Sequence, residues 1–269
     1  MFASATSTTA MSTAALTIVV MMIATWLLSL ALTNASIVDI AWGLGFVAVA
    51  WSVRLRIDDG LDARQWPLVA MTTVWGLRLA GYLFWRNRGH GEDYRYRAMR
   101  KKYGPRFGLI SLGTVFLLQG SLMFVVSLPV QLGQIDDTRS LGVVAVIGVV
   151  VYLVGLGFEV VGDTQLARFK ADPASAGTVM DRGLWRYTRH PNYFGDACVW
   201  WGIGLVAAET GIGAWGLIGS ALMTVLLRRV SGVTLLERSL VKRRAGYVEY
   251  VARTSPFLPR PPKDVQTKM

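Results

Sequence analysis

Cysteine is almost absent from this chain: Cys198 stands alone among 269 residues. An internal disulfide is therefore excluded, and so is a thiolate metal cage. Histidine is nearly as scarce, with only His90 and His190, far apart in sequence. That argues against a multi-histidine metal or haem site, and no metal is expected. The ~10-residue alternation of a membrane β-barrel is missing. There is no internal repeat and no low-complexity linker. A strand–GxGxxG–helix unit is also missing, so a Rossmann domain is excluded; Gly155-Leu156-Gly157 lies inside an apolar run without that setting.

Apolar residues are abundant. They make up 53% of the chain and gather in long blocks. A helix of about 20 apolar residues crosses about 30 Å of hydrocarbon. The pattern predicts an all-α membrane protein of about seven transmembrane helices, over 12–33, 36–53, 66–85, 111–132, 140–160, 193–209 and 212–228. Pro129 falls within one span, as membrane helices tolerate. Residues 1–11 lack the positive start of a signal peptide, so the first span is expected to be retained. A single membrane domain is drawn over 1–260, with a disordered tail over 261–269.

The net charge is +11, with 28 Lys and Arg against 17 Asp and Glu. Such a balance can signal nucleic-acid binding, and the placement of the charge decides otherwise. Arg86–Arg106 carries eight cations, Val161–Asn192 five and the chain from Arg228 onward ten, together 23 of the 28. With seven alternating spans all three stretches share one side. The positive-inside rule makes that side cytoplasmic, with the N-terminus outside and the C-terminus inside, in the bacterial inner membrane. No nucleic acid is needed to explain the charge.

The same stretches are richer than charge runs. They read RNRGHGEDYRYRAMRKKYG (86–104), DRGLWRYTRHPNYFGD (181–196) and LERSLVKRRAGYVEYVARTSPFLP (236–259). Juxtamembrane loops lying on anionic headgroups would account for the cations. Aromatics, amides and carboxylates packed among them suit a nucleotide: cations for phosphates, polar groups for ribose and carboxamide, rings for stacking. Several cations near a 2′-phosphate favour NADPH. In HPNY (190–193) the proline suits a first helical turn. Asn192 and Asp196 are spaced to share a helix face at the membrane boundary. Glu159 and Asp163 lie at the end of a predicted span, where ionisable groups are functional candidates.

Asp39 is the sharpest single residue, set in SIVDIAWGLG with apolar neighbours. Three readings are open. A desolvated acid would be kept protonated and ready to donate. A helix-start acid near the interface would cap its helix. An ion pair with Arg78, in the third predicted span, would hold two helices together and keep the acid ionised.

At these residues the chain resembles the steroid 5-alpha-reductase-like integral membrane proteins, in their bacterial branch. The likeness is carried by WGLRLAGYLFWRNRGHGEDYRYRAMR (75–100), GLWRYTRHPNYFGDACVWWG (183–202) and the tail with Glu237, Tyr247, Tyr250 and RTSPFLP. SIVDIAWG near residue 40 and FLQGSLMFVVSLPVQ (116–131) extend it over most of the chain. The RHPNY core is shared with sterol reductases and isoprenylcysteine-type methyltransferases. The resemblance implies a seven-helix fold binding NADPH through its cytoplasmic loops, with a lipid substrate among the spans. It implies hydride transfer to a carbon–carbon double bond, with a proton donor at the carbonyl oxygen of an enone.

Carried over residue by residue, Asn87, Arg88 and His90 fall where the family contacts the cofactor. Asp163 and Lys170 resemble its acidic and basic contacts after the fifth span, and Asn192 and Asp196 those of the RHPNY block. The cofactor set is completed by Arg78, Asp93, Arg95 and Tyr96 in the first block, by Tyr187, Arg189, His190 and Tyr193 in the second, and by Glu237. Asp39 resembles the family's second-span acid, with Tyr82 as the second catalytic candidate. Two departures matter. Val38 stands where steroid reductases place a glutamine, and Trp75 where they use a tyrosine. The expected substrate class therefore widens from steroid-like enones to isoprenoids and fatty acyl chains. The alternative is an S-adenosylmethionine-dependent methyltransferase acting on a lipid or small thiol. A lipid-binding partner subunit without catalysis is the third reading.

Overall fold

The computed structural model describes residues 2–57, 64–135, 140–230, 244 and 246–263. Among them every regular element is helical. Five helical runs are long and apolar enough to cross a membrane: Thr6–Ala31, Ile37–Arg56, Gln65–Asn87, Tyr94–Val126 and Val143–Ala171. Contacts divide the chain into two compact units, Met1–Ile147 with Ile203–Gly219, and Gly148–Gly202 with Ser220–Met269.

The first unit opens with α1 (Phe2–Ala31), α2 (Ile37–Arg56) and α3 (Gln65–Asn87). Small residues set the approach of α2 to α3. A Cβ added at Gly43 would stand 2.6 Å from the Gly76 carbonyl oxygen, and one at Gly76 2.6 Å from that of Gly43. Such positions let membrane helices pack backbone to backbone. The basic stretch after α3 forms a helix that the apolar pattern did not predict, α4 (Tyr94–Tyr103), started by Asp93, whose carboxylate accepts from the Arg95 N–H at 2.9 Å.

The span expected over 111–132 is a broken run. It comprises α5 (Phe107–Ser111), a π-helical turn (Leu112–Leu117), α6 (Leu118–Val126) and α7 (Leu128–Leu132). The break at Ser127 follows from Pro129, which has no N–H to donate to the preceding turn. The amide of Gln131 covers the gap, donating to the Phe124 carbonyl at 2.8 Å and to Ser127 Oγ at 2.7 Å. Elsewhere in this unit the buried Arg64 guanidinium meets Glu209 at 3.2 Å. Glu209 also accepts the Gly142 N–H at 2.9 Å, next to the start of α8 (Val143–Ala171).

The second unit contains α8 from Gly148 onward and α9 (Pro191–Ala208) as far as Gly202, then α10 (Leu217–Val225) from Ser220, a π-helical turn (Leu226–Val230) and α11 (Tyr247–Arg253). α8 runs well past the 140–160 expected of it, because nothing between Val161 and Ala171 breaks a helix. Pro191 opens α9, as its missing N–H allows. α8 and α9 pair through glycines seven residues apart. A Cβ on Gly195 would meet the Gly155 carbonyl oxygen at 2.5 Å, and one on Gly202 that of Gly148 at 2.6 Å. Gly155 thus serves helix packing, and the Gly-Leu-Gly sequence is no phosphate loop. The end of the expected tail, 264–269, lies outside the described residues, as do 58–63, 136–139 and 231–243.

Candidate functional site

Among the described residues the expected site residues gather in two polar clusters, one in each unit. In the first unit the cluster is built on the start of α2. Asp39 sits in the first turn of that helix, its N–H donating to the Ser36 carbonyl at 3.1 Å. An acid there is favoured by the helix dipole. It is the third residue of α2, so it lies at a helix end and not in the middle of the run. The Tyr96 hydroxyl donates to Asp39 Oδ1 at 2.7 Å, and Arg95 Nη2 to Oδ2 at 2.7 Å. The Gln119 amide approaches the Tyr96 oxygen at 3.4 Å. Arg95 also bonds Asp93 through Nε at 2.9 Å, so one guanidinium bridges two carboxylates. The guanidinium beside Asp39 is that of Arg95, and not the Arg78 of the ion-pair reading. Arg78 lies 5.6 Å from the Tyr82 ring centroid.

A second joint fixes this corner. Glu92 takes Arg100 through both oxygens, at 2.8 and 3.0 Å, and accepts the Ala35 N–H at 2.8 Å. Ser36 Oγ accepts the Asp93 N–H at 2.6 Å. Gly89 (φ 82) and Gly91 (φ 69) permit the turn that brings residues 92 and 93 back to the start of α2. Burial would raise both carboxyls; hydrogen bonds from Arg100 and Ala35 hold Glu92 below its usual value, and those from Arg95 hold Asp93 below its own.

Other expected residues of this block stand differently. Tyr82 is half-buried, with Arg86 5.8 Å from its ring centroid on top of the Arg78 contact. Arg86 Nε donates to Asn87 at 3.2 Å, and the exposed His90 sets Nδ1 3.0 Å from the Arg88 carbonyl oxygen. Tyr96, expected as a cofactor contact, is the phenol that reaches Asp39.

In the second unit the 181–196 block and the tail are clasped together. Arg189 is buried and donates to the carbonyls of Val251 at 3.0 Å and Thr254 at 2.5 Å. Thr188 Oγ1 donates to the Phe257 carbonyl at 2.9 Å, and the Tyr250 hydroxyl to that of Trp185 at 2.5 Å. Arg253 bonds Asp181. Burial pushes the Tyr250 phenol well above its ordinary range. A cavity of about 160 Å³ lies between these segments and the end of α8, lined by Lys170, Trp185, His190, Arg244, Tyr247 and Tyr250 among others. His190 is buried and stacks on Tyr193, with centroids 5.3 Å apart and planes 4° from parallel. Asn192 Nδ2 donates to Asp163 Oδ1 at 3.2 Å.

A family model matches residues 25–254, a stretch that takes in both polar clusters. The chain belongs to the family described as "Protein of unknown function (DUF1295)". No curated protein and no solved structure matches it.

For this DUF1295 chain the structure brings Lys170 and His190 to one cavity, and pairs Asn192 with Asp163. Arg189 borders the same cavity, yet its guanidinium ties down the tail. Tyr187 is exposed, and its carbonyl accepts from the Arg260 N–H at 3.0 Å. Asp196 and Tyr193 lie on the first turns of α9. Glu237 lies outside the described residues. Trp185 and Arg244 were not among the expected contacts. The Tyr247 and Tyr250 spacing, one helical turn after Gly246, could have marked the aromatic wall.

Proposed function

We propose that this DUF1295 protein is an NADPH-dependent reductase of a carbon–carbon double bond in a membrane lipid: a steroid-like enone, an isoprenoid or a fatty acyl chain. The resemblance to steroid 5-alpha-reductase-like proteins motivates the reading. The observation that carries it is the shared cavity of the second unit, where two basic blocks far apart in sequence meet around a mostly apolar, ring-lined surface bordered by Lys170 and Arg244.

The residues fit part of such a cofactor. About 160 Å³ holds one ring system; pockets that enclose a whole drug-sized ligand measure about 300–1,000 Å³. Trp185, Tyr247 and Tyr250 offer aromatic surface to a base. Lys170 and Arg244 suit its phosphates. Bound there, NADPH would supply the hydride. Within the first unit, Asp39 with Tyr96 is the pair we propose for proton transfer, because a phenol held by a carboxylate is oriented. Arg95 balances the charge that the pair carries. The lipid would enter from the bilayer, and the basic stretches would face the cytoplasm.

A second reading is favoured by one observation. Arg95 and Arg100, from the most cationic stretch, are engaged by Asp39, Asp93 and Glu92. Fewer cations are thus left for phosphates, which suits S-adenosylmethionine and methyl transfer to a lipid or small thiol. Titration of the detergent-purified protein with NADPH and with S-adenosylmethionine separates the two. The reductase reading expects saturable NADPH binding, displaced by NADP. Binding of S-adenosylmethionine alone would install the methyltransferase.

A further inference from the structure

α4 presents a second, outward surface. Its sequence, YRYRAMRKKY, is too polar for a span. The acids around it face the α2 corner: Asp39 and Asp93 hold Arg95, and Glu92 holds Arg100. Four further cations, Arg97, Lys101, Lys102 and Arg106, are all exposed. Lys102 lies 5.0 Å over the Tyr103 ring. The carboxylates are thus turned inward, and the outward side is left cationic.

Aromatic residues fix the depth of that side. Phe84, Trp85 and Tyr94, which flank the turn before α4, are 60%, 63% and 67% exposed. At the other end of α3, Trp66 is 50% exposed and Trp51, 6.2 Å from it, 39% exposed. Trp66 and Trp85 are about 28 Å apart along the helix at 1.5 Å per residue. That matches the about 30 Å of a hydrocarbon core, whose two boundaries attract Trp and Tyr. α4 therefore lies at one headgroup layer.

We infer that Arg97, Lys101, Lys102 and Arg106 form a docking surface for anionic phospholipid headgroups. The phosphates of one leaflet are the occupant whose charge and depth match. Exposed cations spread along α4 and the turn that follows it suit a layer of headgroups. A single nucleotide calls for groups converging on one cavity, as in the second unit.

Thermal unfolding of the purified full-length protein in uncharged detergent tests this. Micelles would be doped with phosphatidylglycerol or, at equal mole fraction, phosphatidylcholine. Phosphatidylglycerol should raise the midpoint by several degrees over phosphatidylcholine, and 0.5 M salt, about three times physiological strength, should largely erase the gain. The combined variant Arg97→Gln, Lys101→Gln, Lys102→Gln, Arg106→Gln should keep the phosphatidylcholine midpoint and lose the rest. Equal shifts from both lipids would overturn the inference. So would a full phosphatidylglycerol response in the variant, or a gain from NADP or inorganic phosphate that the variant abolishes. Should the variant not fold, native mass spectrometry of the wild type decides. Preferential retention of phosphatidylglycerol from an equal mixture supports the surface, and equal retention refutes it.

Discussion

The Tyr96 hydroxyl donates to Asp39 at 2.7 Å, joining two residues 57 positions apart. Hydrogen bonds to charged groups are worth about 1.5–3 kcal/mol. Tyr96→Phe should therefore lower stability by about 1–3 kcal/mol. On the reductase reading it should also cut turnover at least tenfold while leaving NADPH affinity near wild type. Thermal unfolding and steady-state kinetics read the two effects separately. A kinetic loss matched by an equal loss of NADPH affinity would remove Tyr96 from the chemistry.

The Glu92–Arg100 joint should show in the pH dependence of stability. Glu92 ionises below its ordinary value in the folded state. A carboxyl depressed on folding stabilises above its unfolded pKa, near 4.3, and that contribution disappears as pH falls through the lower folded value. The unfolding midpoint should thus drop below about pH 4.5. Glu92→Gln should lower the midpoint at pH 7 and flatten the acid limb. An unchanged acid limb in the variant would show that other carboxylates govern it.

How much could be read in advance differs between elements. α2 and α3 are close to their predicted spans, because uninterrupted apolar runs give both length and position. α4 lies outside every predicted span, since hydrophobic blocks carry no signal for a helix of charged residues; the Asp93 cap is its sequence cue. The break at Ser127 was underestimated because a proline within a membrane helix can be accommodated without one. The partner of Asp39 could not be read from spacing: Arg78 was the nearest deep cation in the predicted spans, while Arg95 arrives through the turn at Gly89 and Gly91. In the second unit the basic blocks announced polar chemistry, but the use of Arg189 as a clasp for the tail depends on where the tail returns.

The glycine seam between α8 and α9 makes a stability prediction. A methyl group on Gly195 would stand 2.5 Å from the Gly155 carbonyl oxygen and 2.8 Å from the Glu159 nitrogen. Overpacking of this kind costs about 1–3 kcal/mol. Gly157→Ala meets nothing within 4 Å and should be neutral or slightly stabilising. Comparing Gly195→Ala with Gly157→Ala in thermal unfolding checks the packing; equal midpoints would contradict it.

Arg189→Ala should release the tail. Val251 and Thr254 would lose their guanidinium donor. Trypsin should then cut after Arg253 at least tenfold faster than in wild type, while α1–α3 stay intact. Unchanged cleavage rates would show that the Thr188 and Tyr250 contacts hold the tail without Arg189.

The cavity of the second unit bears the central claim, and Arg244→Ala combined with Lys170→Ala probes it directly. The measurement is equilibrium binding of NADPH to wild type and double variant in detergent, followed by nucleotide fluorescence. Saturable binding to wild type, weakened at least tenfold in the variant, is the result expected. Equal affinity in both proteins, or no NADPH binding to wild type at all, would contradict the assignment of this cavity to the cofactor.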